Sequence, residues 1–277
     1  MSELAFRAAV PAILVALATM AGRRWGDVAT GLVGGLPVVA GPILFFYARE
    51  QGPVFAAEAA ELTLLSIVSL SFFLLTFGWR SWFKASALSC LLLGWFAFAV
   101  CTVLMDHITA VHVMGLAKAL GYALLTLFLA RRSLPQGGVT VDPPKAAGGA
   151  EAFSRWDLPL RVAFAALLVV ILTGLAHRIG PRLGGLLTAF PIASTVLTLF
   201  AYSQGGREAA LAVIKGLLVA LNAYAAFCVV LALVLPAWNL YLSFTAAVLA
   251  TVVIQTLLLK FGPVRVRASS ELGSPIS

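Results

Sequence analysis

Nine apolar runs, most of them about twenty residues long, follow one another along this chain with only short hydrophilic stretches between them. They lie near 4–21, 28–48, 54–77, 84–105, 108–130, 158–176, 183–203, 208–235 and 238–260. About twenty helical residues rise roughly 30 Å, the thickness of a bilayer's hydrocarbon core. The runs are continuously apolar, whereas barrel strands alternate over about ten residues, so helices are expected. Charged residues make up 11% of the chain and hydrophobic ones 61%, far from the roughly one-quarter charged balance of soluble domains. The expected fold is therefore all-α, a polytopic membrane protein of about nine transmembrane helices whose first partner is the lipid bilayer. The 208–235 run is long enough to demand tilt or an interfacial end.

A second feature divides the chain. Shifted by 154 positions, residues 3–64 fall on 157–218 without a gap, with ELAFRAAVPAILVALATMAGRRWGD over DLPLRVAFAALLVVILTGLAHRIGP. Arg7/Arg161, Thr19/Thr173, Arg24/Arg178, Gly26/Gly180, Gly31/Gly185, Pro37/Pro191, Phe46/Phe200 and Gly52/Gly206 coincide. Apolar matches arise by chance in such a composition; arginine, proline and glycine at one offset do not, and they point to internal duplication. The first run resembles a signal peptide, yet its counterpart at 158–176 follows a hydrophilic loop as an ordinary span, so the first run is expected to be retained. The expected organisation is repeat 1 over 1–105, a joining fifth helix over 106–130, a cytoplasmic loop over 131–157 rich in Pro, Gly and charge, repeat 2 over 158–260 and a tail over 261–277.

Five crossings separate equivalent points, an odd number, so the two four-helix repeats must be inverted with respect to each other. With the N-terminus outside, thirteen basic residues (Arg23, Arg24, Arg80, Lys84, Arg131, Arg132, Lys145, Arg155, Arg161, Arg207, Lys260, Arg265 and Arg267) face the cytoplasm, and four (Arg7, Arg49, Arg178 and Arg182) face out. That asymmetry predicts an inner-membrane protein with its N-terminus out and C-terminus in. It also accounts for the net charge of +8 without nucleic acid, because the basic residues are spread over loops rather than one face.

Inverted repeats with helices interrupted at corresponding positions are a transporter plan, with the substrate near the midplane. Pro37 and Pro191 sit close to the centres of the second and seventh spans, in GLVGGLPVVAGP and GGLLTAFPIAST. A mid-helix proline removes a backbone hydrogen bond and clashes with the preceding turn. Gly34, Gly35, Thr188, Ser194, Thr195 and, on the eighth span, Asn222 are the expected substrate-binding neighbours, although Pro and Gly in such helices also serve packing alone. Ionisable groups inside spans are costly and default to functional candidates. Glu58 and Glu61 share a helix face on the third span, Lys118 is central in the fifth, and Lys215 is the repeat equivalent of Glu61. They are the ion-coupling candidates; a static ion pair, or snorkelling for Glu58, is the plainer role.

Other chemistry lacks support. Cys90, Cys101 and Cys228 lie in apolar runs without paired spacing, and Asp106, His107 and His112 do not converge on one helical face, so no metal site or cofactor is expected. There is no GxSxG, P-loop, HExxH or dinucleotide fingerprint, and an enzyme is not expected.

In GRRWGDVATGLVGGLPVVAGPILFFYAREQGPVFAAEAA and HRIGPRLGGLLTAFPIASTVLTLFAYSQGGREAALAVIKG the chain resembles the GlpM-like bacterial inner-membrane protein family, over roughly the first three helices of each half. The resemblance implies a membrane unit and assigns no activity. In plan, though not in motif, the chain is similar to the drug/metabolite transporter superfamily. The expectation is a secondary transporter of a small solute, with a non-transporting scaffold or regulatory subunit as the alternative.

Overall fold

The computed structural model describes residues 3–37, 40–83, 85–111, 120, 121, 123–125, 127, 128, 132, 157–179 and 190–261. Among these residues there are helices and turns and no strand. The helices are α1 (Glu3–Trp25), α2 (Asp27–Gly34), α3 (Ala40–Glu50), α4 (Pro53–Ser81), α5 (Ala87–Val111), α6 (Asp157–Ile179), α7 (Ile192–Val234) and α8 (Leu240–Phe261). The described residues between 120 and 128 are helical as well. Stretches within α4, α5, α7 and α8 are long and apolar enough to cross a membrane. The expected loop over 131–157 and the tail over 261–277 lie almost wholly outside the described residues.

Three turns of the chain fall where backbone chemistry requires glycine. Gly26, Gly52 and Gly206 have φ of 87°, 98° and 65° with ψ of 174°, 163° and −154°. That region is open in practice to glycine alone, and each glycine turns the chain between two helical segments. Pro53 follows Gly52 at the first helical position of α4, where its missing N–H leaves no gap. α7, at 43 residues, would be about 65 Å long if straight, twice the hydrocarbon thickness. Gly206 divides it into arms 192–205 and 207–234. The spans expected at 183–203 and 208–235 correspond to these arms, with 180–189 outside the described residues.

The core runs along α4 and the second arm of α7, where Leu64, Ile67, Phe73, Leu74 and Phe77 meet Ile214, Leu217, Leu218 and Leu221 with essentially no exposure. α1 packs on α6, and α2 is laid along α7. The outside is as apolar as the inside. Leu88, Leu92, Phe96, Val100 and Val103 form an exposed stripe on α5, and Tyr241, Val248, Val252 and Val253 another on α8. In water such stripes would drive aggregation; in a bilayer they face a matching solvent. Hydroxyls inside the helices satisfy themselves on the preceding turn: Thr19 donates to the Val15 carbonyl at 2.7 Å, Ser71 to Ile67 at 2.7 Å and Thr102 to Phe98 at 2.8 Å.

Two features recur at the offset found in the sequence. Gly52 and Gly206 share the positive-φ turn, and Pro37 and Pro191 are both non-helical, the former three residues past the end of α2 and the latter immediately before the start of α7.

Candidate functional site

At the first interruption α2 runs out in a tightened turn. The Gly35 N–H donates to Gly31 at 3.0 Å, and the Leu36 N–H reaches back only three residues, to Val33, at 3.2 Å. Pro37 has no N–H to offer, so the ladder stops there. It resumes when the Gly41 N–H donates to the Pro37 carbonyl at 2.8 Å, and α3 then runs to Glu50. The second span is thus two short helices rather than one kinked helix.

At the second proline, Phe190 and Pro191 are non-helical and α7 starts at Ile192. The Thr195 N–H donates to the Pro191 carbonyl at 2.8 Å, closing the first turn. Pro191, Ser194 and Thr195 are buried, and α5 seals them: Trp95 Nε1 donates to Thr195 Oγ1 at 3.0 Å, while the Trp95 and Phe98 rings sit edge-on to Phe190 at 5.1 and 5.9 Å. Thr198 spends its proton on the Ser194 carbonyl at 2.7 Å. The hydroxyl of Thr195 and the carbonyl of Ser194 therefore already have protein partners.

The glycines of α2 are packing devices. A Cβ on Gly31 would strike the Val213 carbonyl and come within 2.8 Å of the Gly216 Cα; one on Gly216 would strike the Val28 carbonyl and come within 2.9 Å of the Gly31 Cα. One turn further, a Cβ on Gly35 would lie 2.6 Å from that of Ala220, and one on Gly34 would strike the Leu197 side chain. Gly31 and Gly35 thus meet Gly216 and Ala220 as a small-residue crossing, backbone against backbone. Gly34 and Gly35, expected among the binding residues, face α7 instead of an open site.

Pro37 does border open space. A groove of about 760 Å³ runs past Leu36, Pro37, Gly41, Pro42, Phe45 and Phe46, and is closed on its other sides by Phe227 of α7 and by Phe244, Val248, Thr251, Val252, Gln255 and Thr256 of α8. Its volume is that of a small-molecule site. Its walls are almost wholly apolar. The Phe45 ring packs edge-on against Phe244 at 5.2 Å, which fixes the end nearer the start of α8.

The remaining candidates scatter. Glu58 is exposed and Glu61 half-buried on α4; Lys215 is half-buried beside the Gly216 crossing. Asn222 turns both donor contacts onto its own helix, to Leu218 at 2.8 Å and Val219 at 3.1 Å. Thr188 and Lys118 lie outside the described residues. Three residues with no place among the sequence candidates matter more. Arg161, counted above as a loop charge, is buried: its Nη2 donates to Gln204 Oε1 at 2.8 Å and its guanidinium lies 5.0 Å from the Phe200 ring. Asp27, at the start of α2, feels loss of water, which raises its carboxyl pKa, against the opposing pull of Arg161. Gln255, a lone amide in an apolar run, lines the groove; that isolation was the signal for it.

No group of three or more His, Cys, Asp or Glu able to hold a metal occurs among the described residues. No protein-family model, curated protein or solved structure matches the chain.

Proposed function

We propose that this chain is a multi-pass secondary transporter of the bacterial inner membrane, built from two inverted copies of one unit, with its site at the α2–α3 interruption. One observation carries the reading: Pro37 lies between two short helices, α2 and α3, and Pro191, 154 residues on, stands immediately before the start of α7, as the discontinuous helices on which transporters build midplane sites would have it. The positive φ shared by Gly52 and Gly206 at the same offset supports the duplication. Alternating access then follows from one repeat rocking on the other about the α2–α7 crossing, and Glu61 and Lys215 are the coupling candidates because a charge within a span demands a function or a partner.

The scaffold reading has one observation in its favour, the closed aromatic packing of Trp95, Phe98 and Phe190 around Pro191. Cysteine accessibility separates the two. In a chain with Cys90, Cys101 and Cys228 replaced, the transporter predicts that Leu36→Cys and Ala193→Cys react with membrane-impermeant maleimides supplied from either side. A scaffold predicts that both stay unreactive while Gln51→Cys, in an exposed turn, labels normally.

A further inference from the structure

We infer that the pocket at the Gly206 turn binds a zwitterionic phospholipid headgroup, with Arg207 holding the phosphate and Glu208 the ammonium of phosphoethanolamine. The inference stands on the membrane placement of the chain and goes beyond transport, since a scaffold would carry the site equally.

The pocket has a volume of about 390 Å³ and lies where the end of α4 meets the bend of α7, lined by Ser81, Trp82, Tyr202, Gly205, Arg207 and Glu208. The Arg207 guanidinium carbon sits 3.6 Å from the centre of the Trp82 ring, so the cation is stacked and held in one orientation. Its Nε is buried without a partner and is closed to a ligand as well. The terminal nitrogens remain. Arg207 as a whole is half-buried, Nε is its one buried orphan, and among the described residues no hydrogen bond or ion pair occupies the side chain. Parallel N–H groups on that terminal edge match two oxygens of a phosphate. The lining hydroxyls add no donor, because Ser81 has given its proton to the Gly78 carbonyl at 2.6 Å and Tyr202 to the Ala85 carbonyl at 2.7 Å.

An anion alone fits poorly. Glu208 lines the same pocket, is exposed, and likewise has no side-chain hydrogen bond or ion pair among the described residues. A purely anionic headgroup would meet that carboxylate as a like charge, whereas a positive group beside the phosphate turns it into a partner. A primary ammonium serves better than a quaternary one because it has protons to donate. Position selects the source of the ligand. α4 is long and apolar enough to cross a membrane, and at its end Trp79, Trp82 and Phe83 are 60%, 52% and 58% exposed, the aromatic girdle expected at headgroup depth. The other copy is an internal control. Gly52 repeats the turn, but Pro53 and Val54 stand where Arg207 and Glu208 would be. The bend is shared and the charges are not, so making the bend does not require them.

The test is native mass spectrometry of the purified full-length protein, titrated in detergent with palmitoyl-oleoyl phosphatidylethanolamine, phosphatidylglycerol or phosphatidylcholine. The first phosphatidylethanolamine is expected to bind about tenfold tighter than either of the others, the worth of one charge-assisted hydrogen bond. Arg207→Gln is expected to weaken phosphatidylethanolamine binding by about tenfold. Glu208→Gln is expected to erase the advantage over phosphatidylglycerol while leaving phosphatidylglycerol binding unchanged or tighter. Each comparison is made within one sample, so loss of fold would weaken all three lipids together and cannot imitate that change. Equal affinity for the three lipids, or a preference that survives Glu208→Gln, overturns the proposal. Soluble glycerophosphoethanolamine at the same concentration is expected to leave lipid binding unchanged; displacement of the lipid by it would overturn the lipid assignment.

Discussion

Gly31→Leu and Gly216→Leu are each expected to abolish the folded chain, seen as loss of the monodisperse peak when the detergent extract is run by fluorescence-detected size exclusion. The reason lies in what the new side chain would meet. At most core positions an enlarged residue pushes on a neighbouring side chain, which can change rotamer, and overpacking costs about 1–3 kcal/mol. At Gly31 the neighbours are the Val213 carbonyl, the Leu217 nitrogen and the Gly216 Cα, and at Gly216 they are the Val28 carbonyl, the Gly31 Cα and the Leu32 nitrogen. Backbone has no rotamers. The helices must separate, and with them goes the Gly35–Ala220 contact one turn away, so the cost should exceed about 3 kcal/mol, a large share of ordinary stability. Even alanine at either position is expected to lower Tm clearly. The controls are glycines that are not crossed: among the described residues Gly121 has nothing within 4 Å of an added Cβ, and the nearest atom to one on Gly41 is Phe227 Cζ at 3.6 Å. Gly121→Ala and Gly41→Ala should leave Tm unchanged or raised, because alanine also costs less entropy in a helix.

The second large effect belongs to the turn glycines. Among the described residues nothing lies within 4 Å of a Cβ added to Gly52 or Gly206, so substitution there meets no clash with them. The strain is instead internal to the backbone. With φ of 98° and 65° and ψ near ±160°, both occupy a region that costs a non-glycine residue about 1–3 kcal/mol. Gly206→Ala and Gly52→Ala are each expected to lower Tm by several degrees, and the double variant to lose about the sum, because two such backbone penalties are independent when the sites do not touch. Gly206→Ala carries an added consequence. It favours a straight α7, and the two arms must bend to remain within one membrane, so this variant should also increase proteolysis near residues 203–208.

Much of this arrangement was legible from residues whose effect is local. Prolines disfavour the helix interior wherever it sits, so Pro37 marked the break between α2 and α3 and Pro191 the start of α7, and the Gly52/Gly206 identity marked a shared turn. The role of Gly34 and Gly35 was not legible, because whether a small residue faces a ligand or another helix depends on the rotation of two helices about their axes. Gly216 is the clearest case: its 154-offset counterpart is Leu62, so the repeat pattern itself passed over the residue that lets α2 approach α7. Arg161 was counted with the loop charges because it lies four residues from a hydrophilic segment, yet the Phe200 ring and Gln204 cover it. Asn222 looked like a polar group offered across the bundle and instead folds onto its own helix. Gln255 was visible as an isolated amide, but only the packing of α3 beside α8 makes it line a groove.

The claim on which the rest depends is that equivalent positions of the two copies face opposite sides of the membrane. Arg49 and Ser203 are 154 residues apart and both exposed, near the ends of α3 and of the first arm of α7. Single cysteines at these positions, in the background lacking Cys90, Cys101 and Cys228, can be labelled in intact spheroplasts and in inverted vesicles with an impermeant maleimide. The account predicts that Arg49→Cys reacts only in spheroplasts and Ser203→Cys only in inverted vesicles. Reaction of both cysteines from the same side would contradict it.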